Sequence, residues 1–429
     1  MDTIEGEEVQ KLYDVRLFID GMAMVSDSVW RFLNRGETRA FGNIQIDTDE
    51  ETIWADTLYY FKNQELSYLR GRVVIVQDST TLFGESVDYS FLTKIATFNS
   101  GIRLEDQDGT LVALQGIYFQ QQDSAIFRQQ VQLSDSAQYA EGDSLFINRK
   151  KELLQMHSNM FVADSTNNAI LTGDYLEADS TGRRYVDGNA YLRKISSDTT
   201  DTTHINSKEL LMLETDSTDY IRGYGNVRVW STKFSSVSDT LLYNSTTEQF
   251  QLIQEPKAWH KDIQLTGPYI SVQLDSSDIK QLKSYQGAIA VEKDSLTERF
   301  HQIKGDTLTA YFTEGEISSI QIFPNSHVLY HLADENDKAD GAVEYTSPKT
   351  TMTFGNGSLA RVKAGQNKGY YIPENEKLAD RTLEGFTWDP QIRPQKPITK
   401  ARPRFPQVPK EPPFELPRRY LEFLLGKKE

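Results

Sequence analysis

The sequence predicts an all-β molecule built from stacked repeats, and three observations carry that prediction. A glycine-led apolar phrase returns about every thirty residues. A second phrase, led by a small or acidic turn, accompanies it through most of the chain. Within both phrases apolar residues alternate with period two rather than the 3.6 of a helix. A fixed period of this size means an array in which no unit buries its apolar face alone, with any binding surface running along the stack.

The first phrase reads Gly42-Asn43-Ile44-Gln45-Ile46, then Gly71-Arg72-Val73-Val74-Ile75 and Gly101-Ile102-Arg103-Leu104. It continues as Gly188-Asn189-Ala190-Tyr191-Leu192, Gly225-Asn226-Val227-Arg228-Val229 and Gly287-Ala288-Ile289-Ala290-Val291, with degenerate copies near Val131 and Met160. Glycine is read here as the turn that opens each strand. The second phrase runs from Asp56-Thr57-Leu58-Tyr59-Tyr60 and Ser86-Val87-Asp88-Tyr89 through Asp143-Ser144-Leu145-Phe146-Ile147 and Gly173-Asp174-Tyr175. It resumes at Ser207-Lys208-Glu209, Asp239-Thr240-Leu241-Leu242-Tyr243, Tyr269-Ile270-Ser271-Val272 and Asp306-Thr307-Leu308. A weaker third strand closes several units, as in Phe250-Gln251-Leu252. About ten units fit between Gly42 and Ser358. One interval is lengthened by the polar tract 196–203, whose Asp, Ser and Thr residues bury no apolar area and are expected to form a surface loop.

The pattern divides the chain into residues 1–11, expected to be a leader remnant, the array 12–388, and a tail 389–429. Nine of the 14 prolines lie in the tail, which favours an extended polyproline-like path. Its last stretch, Arg418 to Leu425, suits a short amphipathic helix. Between 391 and 429 ten basic side chains face four acidic ones, in a chain whose net charge is −16. An acidic body with a basic tail follows, and nucleic acid is a poor partner because the repeats offer no clustered Lys and Arg. Without cysteine the chain has no disulfide framework, thiolate metal site or cysteine nucleophile. No apolar run reaches the roughly 18 residues of a membrane-spanning helix, and the amino terminus shows no signal peptide, so an incomplete amino terminus is expected.

Chemistry is sparse. The six histidines carry no metal-site spacing; His327 and His331 are four apart, but Val328-Leu329-Tyr330 between them reads as strand. The runs Asp47 to Glu51 and Asp275 to Asp278 are the best calcium candidates and lack the glycine and distal glutamate of an EF-hand, so polar turns explain them better. There is no nucleophile elbow, P-loop or dinucleotide fingerprint. The expectation is a protein without enzymatic activity, cofactor or metal.

The pairing of Gly225 to Val229 with Asp239 to Tyr243 resembles the OstA-like repeat of lipopolysaccharide-transport proteins of the LptA type and of LptD periplasmic domains. The segment Phe300 to Phe312, with Gly385-Phe386-Thr387-Trp388 and Arg393-Pro394, is similar to the long OstA-like proteins of the Bacteroidota lineage. The resemblance covers roughly residues 12 to 394. It implies a periplasmic, outer-membrane-associated protein whose antiparallel strands form an elongated, open, V-shaped β-jellyroll with a lipid-carrying groove. Implied partners are lipopolysaccharide or lipid A, LptC-like or LptD-like jellyrolls, or a second copy head to tail. No transmembrane β-barrel is expected after the repeats, in departure from a complete LptD-type protein.

The alternation assigns the groove lining to Ile44, Ile46, Leu58, Tyr60, Val73, Ile75, Val87, Tyr89, Leu145, Ile147, Val227, Val229, Leu241, Tyr243, Ile270, Val272, Ile289, Val291 and Leu308. A lipid in water exposes acyl chains at about 0.8 kcal/mol per methylene, so a carrier needs continuous apolar shelter. Strand rungs spaced about 4.8 Å apart extend such shelter to on the order of 80 Å over the array. Two rivals stand beside this reading: a structural or adhesive array with a closed core, and a β-helix enzyme acting on polysaccharide.

Overall fold

A computed structural model describes residues 2–4, 6–19, 22–196, 201–215, 218–275, 278–295, 297–355, 358–397, 401–406, 408–409 and 411–426. Within these, thirty-one strands make up most of the chain, and each strand pairing described is antiparallel. That pairing excludes the parallel β-helix on which the enzyme rival rests. The chain forms two compact units rather than one array. Unit 1 comprises Met1–Thr166, Gly173–Ser180 and Ala401–Glu429; unit 2 comprises Asn167–Thr172 and Thr181–Lys400. The described part of the 196–203 insertion is Ser196 and 201–203; residues 197–200 lie outside the described residues.

Both units use one construction. A strand such as Glu37–Asp47 runs for about two β-lengths and bends in its middle, where its pairing slips between Phe41 and Ile44. The bend is a corner made of two consecutive residues with positive φ: Gly42 (76°) and Asn43 (44°), Gly71 (68°) and Arg72 (40°), Gly225 (75°) and Asn226 (52°). The glycine phrase therefore marks the midpoint of a strand, not its opening turn. An extra pair of left-handed residues bends a strand as a bulge does, and glycine and asparagine tolerate that conformation best.

The second phrase supplies the other side of the corner. Asn43 Nδ2 donates to Asp27 Oδ2 at 2.8 Å, Arg72 Nη2 to Asp56 Oδ1 at 2.6 Å, Asn159 Nδ2 to Asp143 Oδ2 at 2.7 Å and Asn325 Nδ2 to Asp306 Oδ2 at 2.8 Å. A Cβ on Gly42 would sit 2.4 Å from Asp27 Oδ2, so close approach as well as φ requires glycine there. The degenerate copies are true corners: Gln129-Gln130 and Ser158-Asn159 hold the same positive φ.

Each bent strand contributes one half to each of two walls, and the walls face one another as a β-jellyroll. In unit 1 one inner row reads Ile46, Ile53, Ile75, Leu82, Leu104 and Leu111 across consecutive strands. The facing row is Leu58, Leu69, Val87 and Phe98, and then, past Gly116, Phe127, Leu145 and Met156. In unit 2 the corresponding rows are Leu192, Ile205, Val229, Ser236, Ala258, Leu265 and Ala290, facing Leu241, Leu252, Ile270, Ser284 and Leu308. Each Ile, Leu or Val buried in these rows contributes about 1.5–3 kcal/mol.

The expected boundaries shift. The strand Glu7–Ile19 begins inside the segment expected to be a leader remnant, pairing Val9 with Phe32 and Lys11 with Trp30. The last strand is Lys368–Pro373, and residues 376–388 are not part of the array; they open with the helical turn Glu376–Ala379. The tail does form the expected helix, Arg418–Gly426. It is docked rather than free: Tyr420 packs 5.0 Å from Trp54, within a cluster of Trp54, Val74, Phe83 and Tyr420.

Candidate functional site

The space between the two walls is the candidate site, and in this structure the walls are in contact. Of the residues assigned to the lining, Ile44, Ile46, Val73, Ile75, Val227 and Val229 lie on the inner face of one wall. Leu58, Tyr60, Val87, Tyr89, Leu145, Ile147, Leu241, Tyr243, Ile270, Val272 and Leu308 lie on the inner face of the other. All are buried except Ile147 and Tyr243, which are half-buried.

Ile289 and Val291 are the correction. In this strand the left-handed pair is Gln286-Gly287, so Gly287 matches Asn226 of the other repeat rather than Gly225. The register moves by one residue, which flips every side chain. Ala288 and Ala290 point inward, while Ile289 and Val291 lie outside the slit, packed with Leu329, Leu378 and Leu383.

At the edge opposite the corners the walls are tied by side chains. In unit 1 the Tyr89 hydroxyl, from one wall, donates to Glu51 in the rim of the other, and lies 3.1 Å from Gln120 Oε1. Burial pushes the Glu51 carboxyl above the usual carboxylate range, with the Tyr89 bond opposing it, and burial likewise raises Tyr89. Arg149 binds Asp106 and donates to Thr80 Oγ1 at 2.8 Å, again from wall to wall, and Tyr118 bonds Gln77 at 3.3 Å. Burial pushes Tyr118 up to about 12. In unit 2 Lys233 pairs with Asp278 at 2.6 Å, Lys261 with Glu316, and Lys194 with Asp219 at 3.7 Å. The calcium candidate Asp47 to Glu51 is thus a rim turn, with Asp47 accepting from Gln45 and Glu51 from Tyr89. Residues 276 and 277 of the second candidate lie outside the described residues.

Several spaces remain along the slit among the described residues, one of them a cavity of about 340 Å3 beside the Arg149 latch. At the unit 1 mouth a cavity of about 510 Å3 is lined by Met22, Tyr60 and Phe91 with Lys62, Lys94, Asp49 and Glu50. In unit 2 a cavity of about 300 Å3 lies between the walls, lined by Leu192, Ile205, Ile221, Phe234, Tyr243, Phe250 and Leu274, with Lys194, Asp201 and Glu248 at its polar end. Ser236 and Ser238, on the inner face of the same unit, have hydroxyls with no hydrogen-bond partner among the described residues. On another strand of unit 2 His301 stacks on Tyr330 at 4.1 Å, and burial pushes its imidazole down to about 4.

Sequence reasoning missed an outer row. On the outer face of the wall that carries Ile46 and Val229, one large or polar side chain per strand is buried under the tail. In unit 1 the row is Trp54, Val74, Phe83, Arg103, Val112, Gln132 and Glu141, with Val112 half-buried. In unit 2 it is Trp259, Gln264, Val291, Gln302, Leu329 and Glu344. Its sequence signal is a lone amide or acid at the outer position of an otherwise apolar strand. A second is the row of aromatics, Phe405, Phe414, Tyr420 and Phe423, within a proline-rich tail.

Comparison with known proteins agrees with the repeat reading over part of the chain. Among solved structures the chain is similar to LptH from Pseudomonas aeruginosa, described as the LptA homologous periplasmic component of the conserved lipopolysaccharide transport device. The identity is 10%, covering 34% of this chain and 80% of that one, with a TM-score of 0.20. No curated protein matches. The family model described as OstA-like protein matches residues 1–143 of this chain.

Proposed function

We propose that this chain is a periplasmic carrier that shelters the acyl chains of lipopolysaccharide, or of its lipid A, between its two walls, as a binding and transport protein without catalysis. One observation carries the reading. The walls are joined at one edge by backbone corners and at the other by side-chain bonds, so the slit opens along its length without breaking a strand ladder. An exposed ion pair is worth about 0–1 kcal/mol, so the unit 2 latches offer little resistance. Opening exposes two facing apolar rows, and acyl chains restore their burial at about 0.8 kcal/mol per methylene. The partners of this reading are other Lpt-type jellyrolls or a second copy, meeting the terminal strands.

A second reading, a closed structural array, is favoured by the burial of the lining: Val73, Val87, Val229, Leu241 and Ile270 are all 0% exposed. Mass spectrometry of lipid co-purified with the chain separates the two. A stoichiometric acylated glycolipid supports the carrier; a lipid-free protein that also takes up none from lipopolysaccharide micelles supports the closed array.

A further inference from the structure

The tail, taken from here on to include the segment 376–388 that follows the last strand, is bound through its backbone. In unit 2 Gln264 donates from Nε2 to the Thr387 carbonyl at 2.8 Å and accepts the Asp389 N–H at 2.9 Å. Gln302 repeats the arrangement, donating to the Arg381 carbonyl at 3.2 Å and accepting the Leu383 N–H at 2.7 Å. In unit 1 Glu141 accepts the N–H groups of Arg404 at 2.6 Å and Phe405 at 3.2 Å, and Arg103 donates to the Pro409 carbonyl. These readers are themselves buried, Gln264 and Glu141 at 0% exposure, and sit in the outer row with Val291 between the unit 2 pair and Val112 and Gln132 between the unit 1 pair. A side-chain amide or carboxylate that pairs with main-chain groups recognises extended peptide whatever its side chains are. Proline suits such a ligand, because its fixed φ keeps the chain extended before it docks. Sequence-specific grip comes from anchors: Phe414 and Tyr420 against Phe83, and Tyr420 and Phe423 against Trp54.

We propose that the outer row of unit 1 is a peptide-docking track that reads main chain, and that residues 401–426 are its separable ligand, held by aromatic anchors at one end and Glu141 at the other. The track is a second binding surface of the molecule, on the opposite side of the wall from the slit, and its ligand class is an extended, proline-rich peptide ending in a short amphipathic helix. Its occupant is the chain's own tail. The basic excess of that tail complements the acidic body, with Arg404 pairing to Asp143 at 2.9 Å as well as to Glu141.

The test keeps the whole chain. A site-specific protease sequence is inserted at residues 398–400, the folded protein is cleaved, and binding of a fluorescent synthetic peptide of residues 401–426 is followed by anisotropy and gel filtration. The cleaved fragment should co-elute with the body, and excess labelled peptide should replace it. A peptide carrying Tyr420→Ala and Phe423→Ala should bind at least about 30-fold more weakly, and Glu141→Ala in the body should weaken the native peptide about tenfold. A peptide scrambled everywhere except its prolines, Arg404 and the four aromatics should bind within about threefold of the native one. Immediate loss of the cleaved fragment, with no peptide binding at about 100 μM, would overturn the track. A scrambled peptide as weak as the anchorless one would overturn main-chain reading.

Discussion

The two walls of each unit are halves of the same strands, yet their outer faces differ. The tail-side wall, which carries Ile46 in unit 1 and Val229 in unit 2, is crossed by the tail, which bonds Glu141 and Arg103 in one unit and Gln264, Gln302 and Glu344 in the other. The bare wall presents an aromatic outer face instead: Phe41 lies 5.1 Å from Trp30 and 6.4 Å from Tyr59, and Arg70 covers Tyr68. A wall crossed by a further segment of chain resists shear and fraying; a wall held by its ladders and its own cross-strand side-chain pairs gives more readily. If the slit opens as the proposed function requires, this comparison makes the bare wall the half expected to move about the corners and the tail-side wall the fixed jaw. The latches of the two units differ in polarity: the bare rim is basic in unit 1 (Lys94, Arg149) and acidic in unit 2 (Asp278, Glu316).

The largest expected effect separates inside from outside. Val229→Asp places a charge against Ile205 and Ser236 on a fully buried inner face and should cost several kcal/mol, read as a large fall in melting temperature. Tyr224→Asp, on the outer bare wall at 46% exposure, should change stability by no more than about 0.5 kcal/mol. Equal losses would break the assignment of faces.

The walls themselves are compared by hydrogen exchange. Within the strand Thr52–Phe61, amides of the tail-side half 52–55 should exchange more slowly than those of the bare half 57–61. Tyr420→Ala with Phe423→Ala should accelerate the first half and leave the second unchanged. Faster exchange in both halves would mean that the tail stabilises the unit as a whole and fixes no jaw.

Acid should loosen unit 2 through His301. Its imidazole is held at about 4 against an ordinary 6.5, so the fold disfavours the proton. The stability this represents is complete above pH 6.5 and is lost as pH falls from there through 4. At full expression it amounts to about 3 kcal/mol. His301→Phe, which preserves stacking on Tyr330, should flatten the melting curve against pH in that window; an unchanged slope would show that His301 takes its proton without cost.

The smallest effect belongs to the latches. Lys233→Ala should lower stability by about 0–1 kcal/mol, yet raise the rate at which a lipid-like dye enters unit 2. A dye rate that stays constant while stability falls would detach the latch from opening.

Much of the fold was legible because its corners are chemical. Gly225-Asn226 announces a bend through φ, and Asp56 or Asp306 announces its partner, so the repeat, the strand period and the apolar rows could be read directly. The phrase was misplaced by half a strand because a midpoint bulge and an end turn use the same residues. Ile289 and Val291 went to the wrong face because Gln286 occupies a left-handed position with no sequence mark, and a slip of one residue inverts a strand. The corner Gln254-Glu255 was invisible for the same reason. Glu51, Tyr89 and Arg149 were hidden because a latch is a meeting of distant residues, and Gln264 and Gln302 because an amide in a strand looks like solvent-facing polarity until a tail covers it.

The claim that acyl chains travel between the walls is tested most directly by site-specific photocrosslinking to lipopolysaccharide. A photoreactive phenylalanine analogue replaces Tyr60, Tyr243 or Phe250 on inner faces, and Tyr59 or Tyr224 on outer ones. The account predicts crosslinked lipid from the three inner positions and none above background from the two outer ones. Crosslinks from the outer positions with none from the inner would contradict it, and would move the lipid, if any is carried, to the outside of a closed core.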